Sequence, residues 1–241
     1  MPEVTVVGRS APLERRAPFA GALVALPVRT HLVRPGDDVA ASIAAAARGI
    51  ARSGDVLAVS ETAVAIAQGR VIAAETIRPS PLAYWLSRRA SAFATVNQPE
   101  SLQLVIDQAG AAKVLFASMC QAIGRLLRRR GWFYRVLGER IAAIDGYTGT
   151  LPPFERTIVL GPEDPDGVAR AIAVASGAHA SVVDVNDLGI ARVLGASERV
   201  DRVALEAALR SNPHGNGDEQ TPLVVLKWRG AAPNPMLRDV G

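Results

Sequence analysis

The sequence predicts an α+β protein in which a mixed sheet is packed with helices. Short apolar runs bounded by Gly, Pro or Asp recur at 20–28, 56–59, 157–160, 180–183 and 222–227, the length of buried strands. Between them lie longer segments whose apolar residues fall three and four apart, as at 37–50 and 165–176. The two kinds do not alternate as regular βαβ units, and no internal repeat is found, which argues against a doubly wound sheet.

Residues 1–16 show no sustained pattern and read as an N-terminal extension. Arg15 and Arg16 precede an apolar run, Ala17 to Val28, that superficially resembles a signal peptide. It lacks a small-residue cleavage site and is too short to span a bilayer, so a first strand from Ala20 is expected. After the loop Arg29 to Gly36, Asp37 and Asp38 cap a helix reaching Ile50. Gly54 and Asp55 turn the chain into Val56 to Val59, and Val71 to Ile72 forms a second short strand. Pro79 and Pro81 start a helix from Leu82 to about Phe93, and Pro99 opens another from Glu100 to Ala112. Within Lys113 to Gly138 the first half is helix-like, while Trp132 to Val136 has strand composition. A strand then runs to Ile144, followed by Thr157 to Leu160, a helix Pro165 to Ser176, and the strand Ala180 to Val183. A last helix, Val200 to Leu209, leads through an Asn/Gly loop to the strand Pro222 to Lys227. The tail 231–241 is expected on the surface.

With 241 residues, 49% of them hydrophobic, the chain can bury a large core. The single Cys120 excludes an internal disulfide and suits a cytoplasmic setting. His31, His179 and His214 lack zinc-hydrolase spacing. The net charge is +4, but only Lys113 and Lys227 among 27 basic residues are lysines. Arg125 to Arg130 ends an apolar helix, where cations complement the helix dipole. Aromatics are not interleaved with the basic residues, so nucleic acid is not the expected partner, and neither is a membrane.

Three oxygen-rich turns stand out: Ile144 to Gly149, Asp184 to Gly189, and Asn212 to Thr221. Each alone reads as a solvent turn. Their recurrence points to a metal and phosphate site, because a hard cation needs several oxygens converging on one point. GxxxxGK[ST] and GxGxxG loops are both absent, so neither the Rossmann nor the P-loop fold is indicated. Phosphate charge must then be met by arginine, backbone amides or metal. The backbone around Asn212, Gly215, Asn216 and Gly217 can approach a phosphate closely; it reads equally as a flexible hairpin loop.

Several segments taken in order resemble the coenzyme F420-0:gamma-glutamyl ligase family. They are Leu32-Val33-Arg34-Pro35-Gly36-Asp37-Asp38, Gly54 to Val59 with Gln68-Gly69-Arg70, Pro79-Ser80, Leu160 to Asp166, and Thr221 to Leu226. The resemblance runs from Ala20 to Gly230 and implies a single ligase-like domain over 17–230, with an insertion near 113–138. It implies a metal shell of Mg²⁺ or Mn²⁺ drawn from Asp145, Asn186, Asp187, Glu219 and Gln220. It also implies GTP bordered by Thr30, His31, Leu32 and Val33, with Glu61, Thr62 and Thr148 toward the nucleotide, and a homodimer. The chain departs from the family where Ile66 replaces a lysine, Gln68 a glutamate, and Ile190-Ala191 an Arg-Pro pair.

On this basis the expected activity is joining glutamate to a small carboxylic acid through an acyl phosphate. The alternative is a non-catalytic paralogue that kept the fold, in keeping with Ile66. Trp132, Phe133 and Tyr134 beside Arg125 to Arg130 read either as a wall for a planar anionic ligand or as core and dimer contact.

Overall fold

Asp38 begins the first helix as its side chain accepts from the Ala41 N–H at 3.0 Å. The computed structural model describes residues 22–90, 97–129, 131–138, 141, 144, 154, 156–187, 189–215 and 219–238. Contacts divide the chain into two compact units, Met1–Gly69 with Pro162–Gly241, and Arg70–Gly161.

The first unit holds a five-stranded mixed sheet in the order β1-β7-β2-β5-β6. Its strands are β1 (Leu23–Val28), β2 (Val56–Ser60), β5 (His179–Val185), β6 (Ala191–Ala196) and β7 (Leu223–Trp228). β2 and β5 are parallel; the other pairs are antiparallel. Alternate side chains go to opposite faces, and both faces are covered. Leu57, Val59, Val182 and Val225 pack with Ile43 of α1 (Val39–Ala47), Val64 of α2 (Glu61–Ala67) and Ile172 of α7 (Pro165–Ser176). Val56, Ala58, Val224 and Leu226 pack with Leu205 and Leu209 of α8 (Arg202–Leu209). Burial on both faces explains why β2 and β7 read as unbroken apolar runs. Lys227 reaches from β7 to Asp55 at 2.8 Å and to the Ile50 carbonyl.

The second unit pairs β3 (Val71–Ala73) antiparallel with β4 (Thr157–Val159). Its helices are α3 (Pro81–Ser87), α4 (Pro99–Ala109), α5 (Ala111–Leu126) and α6 (Trp132–Leu137). Their core contains Leu86, Leu102, Val105, Val114, Phe133 and Ile158. No helix among the described residues is long and apolar enough to cross a membrane.

The α+β class and mixed sheet agree with expectation, and several details differ. α3 ends at Ser87, with Arg88 as its C-cap, rather than near Phe93. Trp132 to Val136 is helical, because Phe133 and Leu137, four apart, are both buried, and the Gln121 side chain accepts from the Phe133 N–H at 3.1 Å. α4 stops at Ala109, since Gly110 at φ 85°, ψ 141° cannot continue it. Ile144 N–H donates to the Ile141 carbonyl at 3.2 Å, a local bond that the strand expected up to Ile144 would not make. The tail is not all on the surface, for Met236 is fully buried against the α8 face.

β6 was not foreseen. Its outer edge is met by side chains: Glu206 accepts from Val193 N–H, Asp166 accepts from Ala196 N–H, and Arg202 donates to the Val193 and Leu194 carbonyls. Gly195 lets the start of α7 come close; a Cβ there would fall 2.1 Å from the Pro165 carbonyl carbon.

Candidate functional site at one end of the sheet

Strand directions decide what meets. The C-terminal ends of β1, β2 and β5 lie at the same end of the sheet as the N-terminal ends of β6 and β7. That end therefore gathers the segments after Val28, after Ser60, between Val185 and Ala191, and before Leu223. Backbone bonds tie them: Thr30 N–H donates to the Gln220 carbonyl at 3.1 Å, and Ser60 N–H to the Pro222 carbonyl at 2.8 Å.

Side chains tighten the cluster. The Asn212 amide donates to Asp187 Oδ1 at 2.7 Å, joining two of the three oxygen-rich turns. Arg29 Nη2 donates to Gln220 Oε1 at 3.3 Å. Asn212 and Gln220 both have positive φ, 46° and 53°, a conformation polar Asn tolerates better than most residues. At Gly215 an added Cβ would fall 2.9 Å from the Glu219 carboxyl carbon, so this carboxyl group folds over the loop backbone.

His214 and Thr221 close the same loop reciprocally. The Thr221 hydroxyl donates to the His214 carbonyl, and His214 Nδ1 lies 3.0 Å from the Thr221 carbonyl. A carbonyl only accepts, so Nδ1 carries the proton. Nε2 is buried and has no hydrogen-bond partner among the described residues. Burial pushes the His214 pKa down to about 4, against the Thr221 bond that favours the charged form. His214, Thr221 and Arg29 carry this geometry although sequence reasoning gave them no role. The oxygen-rich run Asn212 to Thr221 drew notice to His214 and Thr221 as turn residues, and nothing in the sequence drew notice to Arg29.

Asp184 and Val185 belong to β5 rather than to the turn that follows, with Asp184 opposite Arg192. Burial raises the Asp184 pKa, partly opposed by Arg192. Asn186 closes its own turn, its Oδ1 accepting from Ile190 N–H at 3.3 Å. His31 Nε2 stands 3.6 Å from Asp37 Oδ2. Leu32, Glu61 and Thr62 are half-buried, and Val33 is buried, so only its backbone can border a ligand. Asp145, Thr148, Asn216 and Gly217 lie outside the described residues.

A hard cation needs several oxygens free to converge. Here one oxygen of Asp187 is held by Asn212, Asn186 Oδ1 serves its turn, and Gln220 Oε1 faces a guanidinium. Among the described residues no three His, Cys, Asp or Glu side chains form a group able to hold a metal. These donors by themselves leave a cation shell incomplete, so further oxygens would be needed to close it. They do offer Arg29 and a polar loop backbone, which suit an anion.

A model of the F420-0:gamma-glutamyl ligase family matches residues 27–187, two-thirds of the chain. The chain belongs to that family. The coenzyme F420:L-glutamate ligase of Methanopyrus kandleri is 28% identical to it, over 83% of this chain and 84% of the relative. The family match takes in Thr30 to Val33, Glu61, Thr62, Asp145, Thr148, Asn186 and Asp187, and it ends before the 212–221 loop.

Proposed function

We propose that this protein is a GTP-dependent amide ligase of the coenzyme F420-0:gamma-glutamyl ligase type, acting with Mg²⁺ or Mn²⁺. The observation that carries the reading is the convergence of Arg29–Thr30, Glu61–Thr62, Asn186–Asp187, Asn212 and Gln220 at one end of the sheet. The terminal phosphoryl group of GTP passes to an acceptor carboxylate, giving an acyl phosphate and GDP. The glutamate amine then attacks the acyl carbon, phosphate leaves, and the nitrogen loses a proton. Arg29 and the loop amides meet phosphate charge, while the Asp187–Asn212 bond holds two loops in place. When bound, the divalent cation supplies charge neutralisation on the phosphates. Asp145 is its proposed anchoring carboxylate, with Asp187 and Glu219. A cytoplasmic homodimer, with 17–230 as one ligase-like domain subdivided into the two units, belongs to the same reading.

A second reading has its own observation. Ile66, at the family's lysine position, is a buried apolar residue of α2 and cannot meet phosphate. That favours a paralogue that binds nucleotide without transfer. Thermal shift with GTP or ATP, each with Mg²⁺, Mn²⁺ or neither, tests binding; a saturating nucleotide at about a hundred times its dissociation constant stabilises by about 2.7 kcal/mol. Glutamate-dependent phosphate release separates the two readings. No shift with any nucleotide and metal defeats both.

A further inference from the structure

The 212–221 loop is clasped at the point where it returns to the sheet. Two polar groups of Thr221 are spent on one residue: its hydroxyl donates to the His214 carbonyl, and its carbonyl accepts from His214 Nδ1 at 3.0 Å. Thr221 is buried. The residue before it, Gln220, has φ 53°. A left-handed backbone at a residue other than Gly, Asn or Asp is uncommon and persists where its surroundings over-determine it. Two sets of bonds do so here. Thr30 N–H holds the Gln220 carbonyl at 3.1 Å, and His214 holds the residue that follows. The backbone set in this way carries the Gln220 side chain to Arg29, whose Nη2 lies 3.3 Å from Oε1.

We infer that His214 is a positioning residue for the anion site: through Thr221 it keeps Gln220 in this conformation, and through Gln220 it fixes the Arg29 guanidinium. The inference rests on the reading of this sheet end as a nucleotide site and adds how its cation is held. Arg29 is exposed, and a long side chain at the surface otherwise samples many rotamers. Its contact with Gln220 is to an amide oxygen, and among the described residues it forms no ion pair. A neutral acceptor orients a guanidinium without neutralising it. A carboxylate in the same place would spend the charge that a phosphate needs. Burial keeps the His214 ring neutral, so the clasp itself brings no charge to the loop. What the clasp needs from position 214 is an N–H donor at that reach. Asn carries its Nδ2 as many bonds from Cβ as His carries Nδ1 and can make the same bond, whereas Leu has no donor.

The test is a double-mutant cycle on the full chain, read by calorimetric titration with inorganic tripolyphosphate and with GTP in Mg²⁺. Arg29→Ala weakens binding about thirtyfold and His214→Leu about tenfold. The pair is no weaker than Arg29→Ala alone, because His214 acts only through Arg29. His214→Asn restores native affinity. In the glutamate-dependent reaction His214→Leu raises the GTP KM about tenfold and leaves kcat and the glutamate KM within about twofold. Gln220→Ala, which leaves the clasp in place, reproduces the tripolyphosphate loss and carries the test if His214→Leu lacks the native circular dichroism. Losses that add in the pair overturn the inference and make the clasp merely structural. So does native affinity in a folded His214→Leu or in Gln220→Ala, or a His214→Asn as weak as His214→Leu. A native protein that binds neither probe overturns this inference and the ligase reading together. Binding without glutamate-dependent phosphate release counts against the ligase reading alone, and the cycle still decides this one.

Discussion

The five-stranded sheet and the helices of the second unit put their polar and apolar groups to opposite use. Around the sheet, polar side chains find partners from distant segments: Arg29 with Gln220 and Asn212 with Asp187 at the site end, and Lys227 with Asp55 at the other end. In the helical unit, boundaries are made by neighbours in sequence, and α5 turns large apolar residues outward. Ser80 accepts from Ala83 N–H at 3.2 Å, and Gly110 separates α4 from α5. The lesson is one of scale. A long-range polar pair loses much when one member goes, because the other stays buried and unmatched. A local cap loses only its own bond.

This contrast orders the expected effects. Lys227→Met should be the most damaging, since it strands Asp55, whose side chain is only 13% exposed, and the Ile50 carbonyl. Urea unfolding should show a loss of about 4 kcal/mol. A loss below 1 kcal/mol would erase the distinction between the regions.

The pH response of His214 comes next. Its folded pKa is depressed, so the unfolded chain takes up the proton first. The group's contribution is therefore complete above its ordinary value near 6.5 and is lost as pH falls toward about 4. Stability should drop by about 3 kcal/mol over that interval, at about 1.4 kcal/mol per pH unit. In His214→Gln this component should vanish, leaving a shallower acid slope in the same denaturant series.

Gly110→Ala forces a side chain onto φ 85°, ψ 141°, and should cost about 2 kcal/mol by thermal melting. Space is no obstacle, because nothing lies within 4 Å of the added Cβ; the cost is backbone strain alone. Ser80→Ala should be the mildest, about 1 kcal/mol for the α3 cap. If Ser80→Ala matched Lys227→Met, the claim that the helical unit is built from local terms would fail.

The same contrast explains what could be read from the sequence. Asp38, Pro81 and Pro165 marked helix starts because a cap or a fixed φ acts within a few residues. Trp132 to Val136 misled because aromatic and β-branched composition favours strands, whereas burial of Phe133 and Leu137 on one face required a helix. β6 was silent because Glu206, Asp166 and Arg202, from other elements, satisfy its outer edge. Asp187 and Asn212 were legible as oxygen-rich turn residues; that they bond to each other was not.

The sequence by itself determined the α+β class, the apolar strands, most helix starts and the family to which the chain belongs. These depend on periodicity, local backbone preference and ordered motifs, all carried by residues near one another. Only the tertiary structure decided which turns share the sheet end, the tautomer of His214, the edge of β6 and the uncovered face of α5. Each of these depends on strand direction and on partners far along the chain, and pairing of that kind exists only once the sheet and helices have packed.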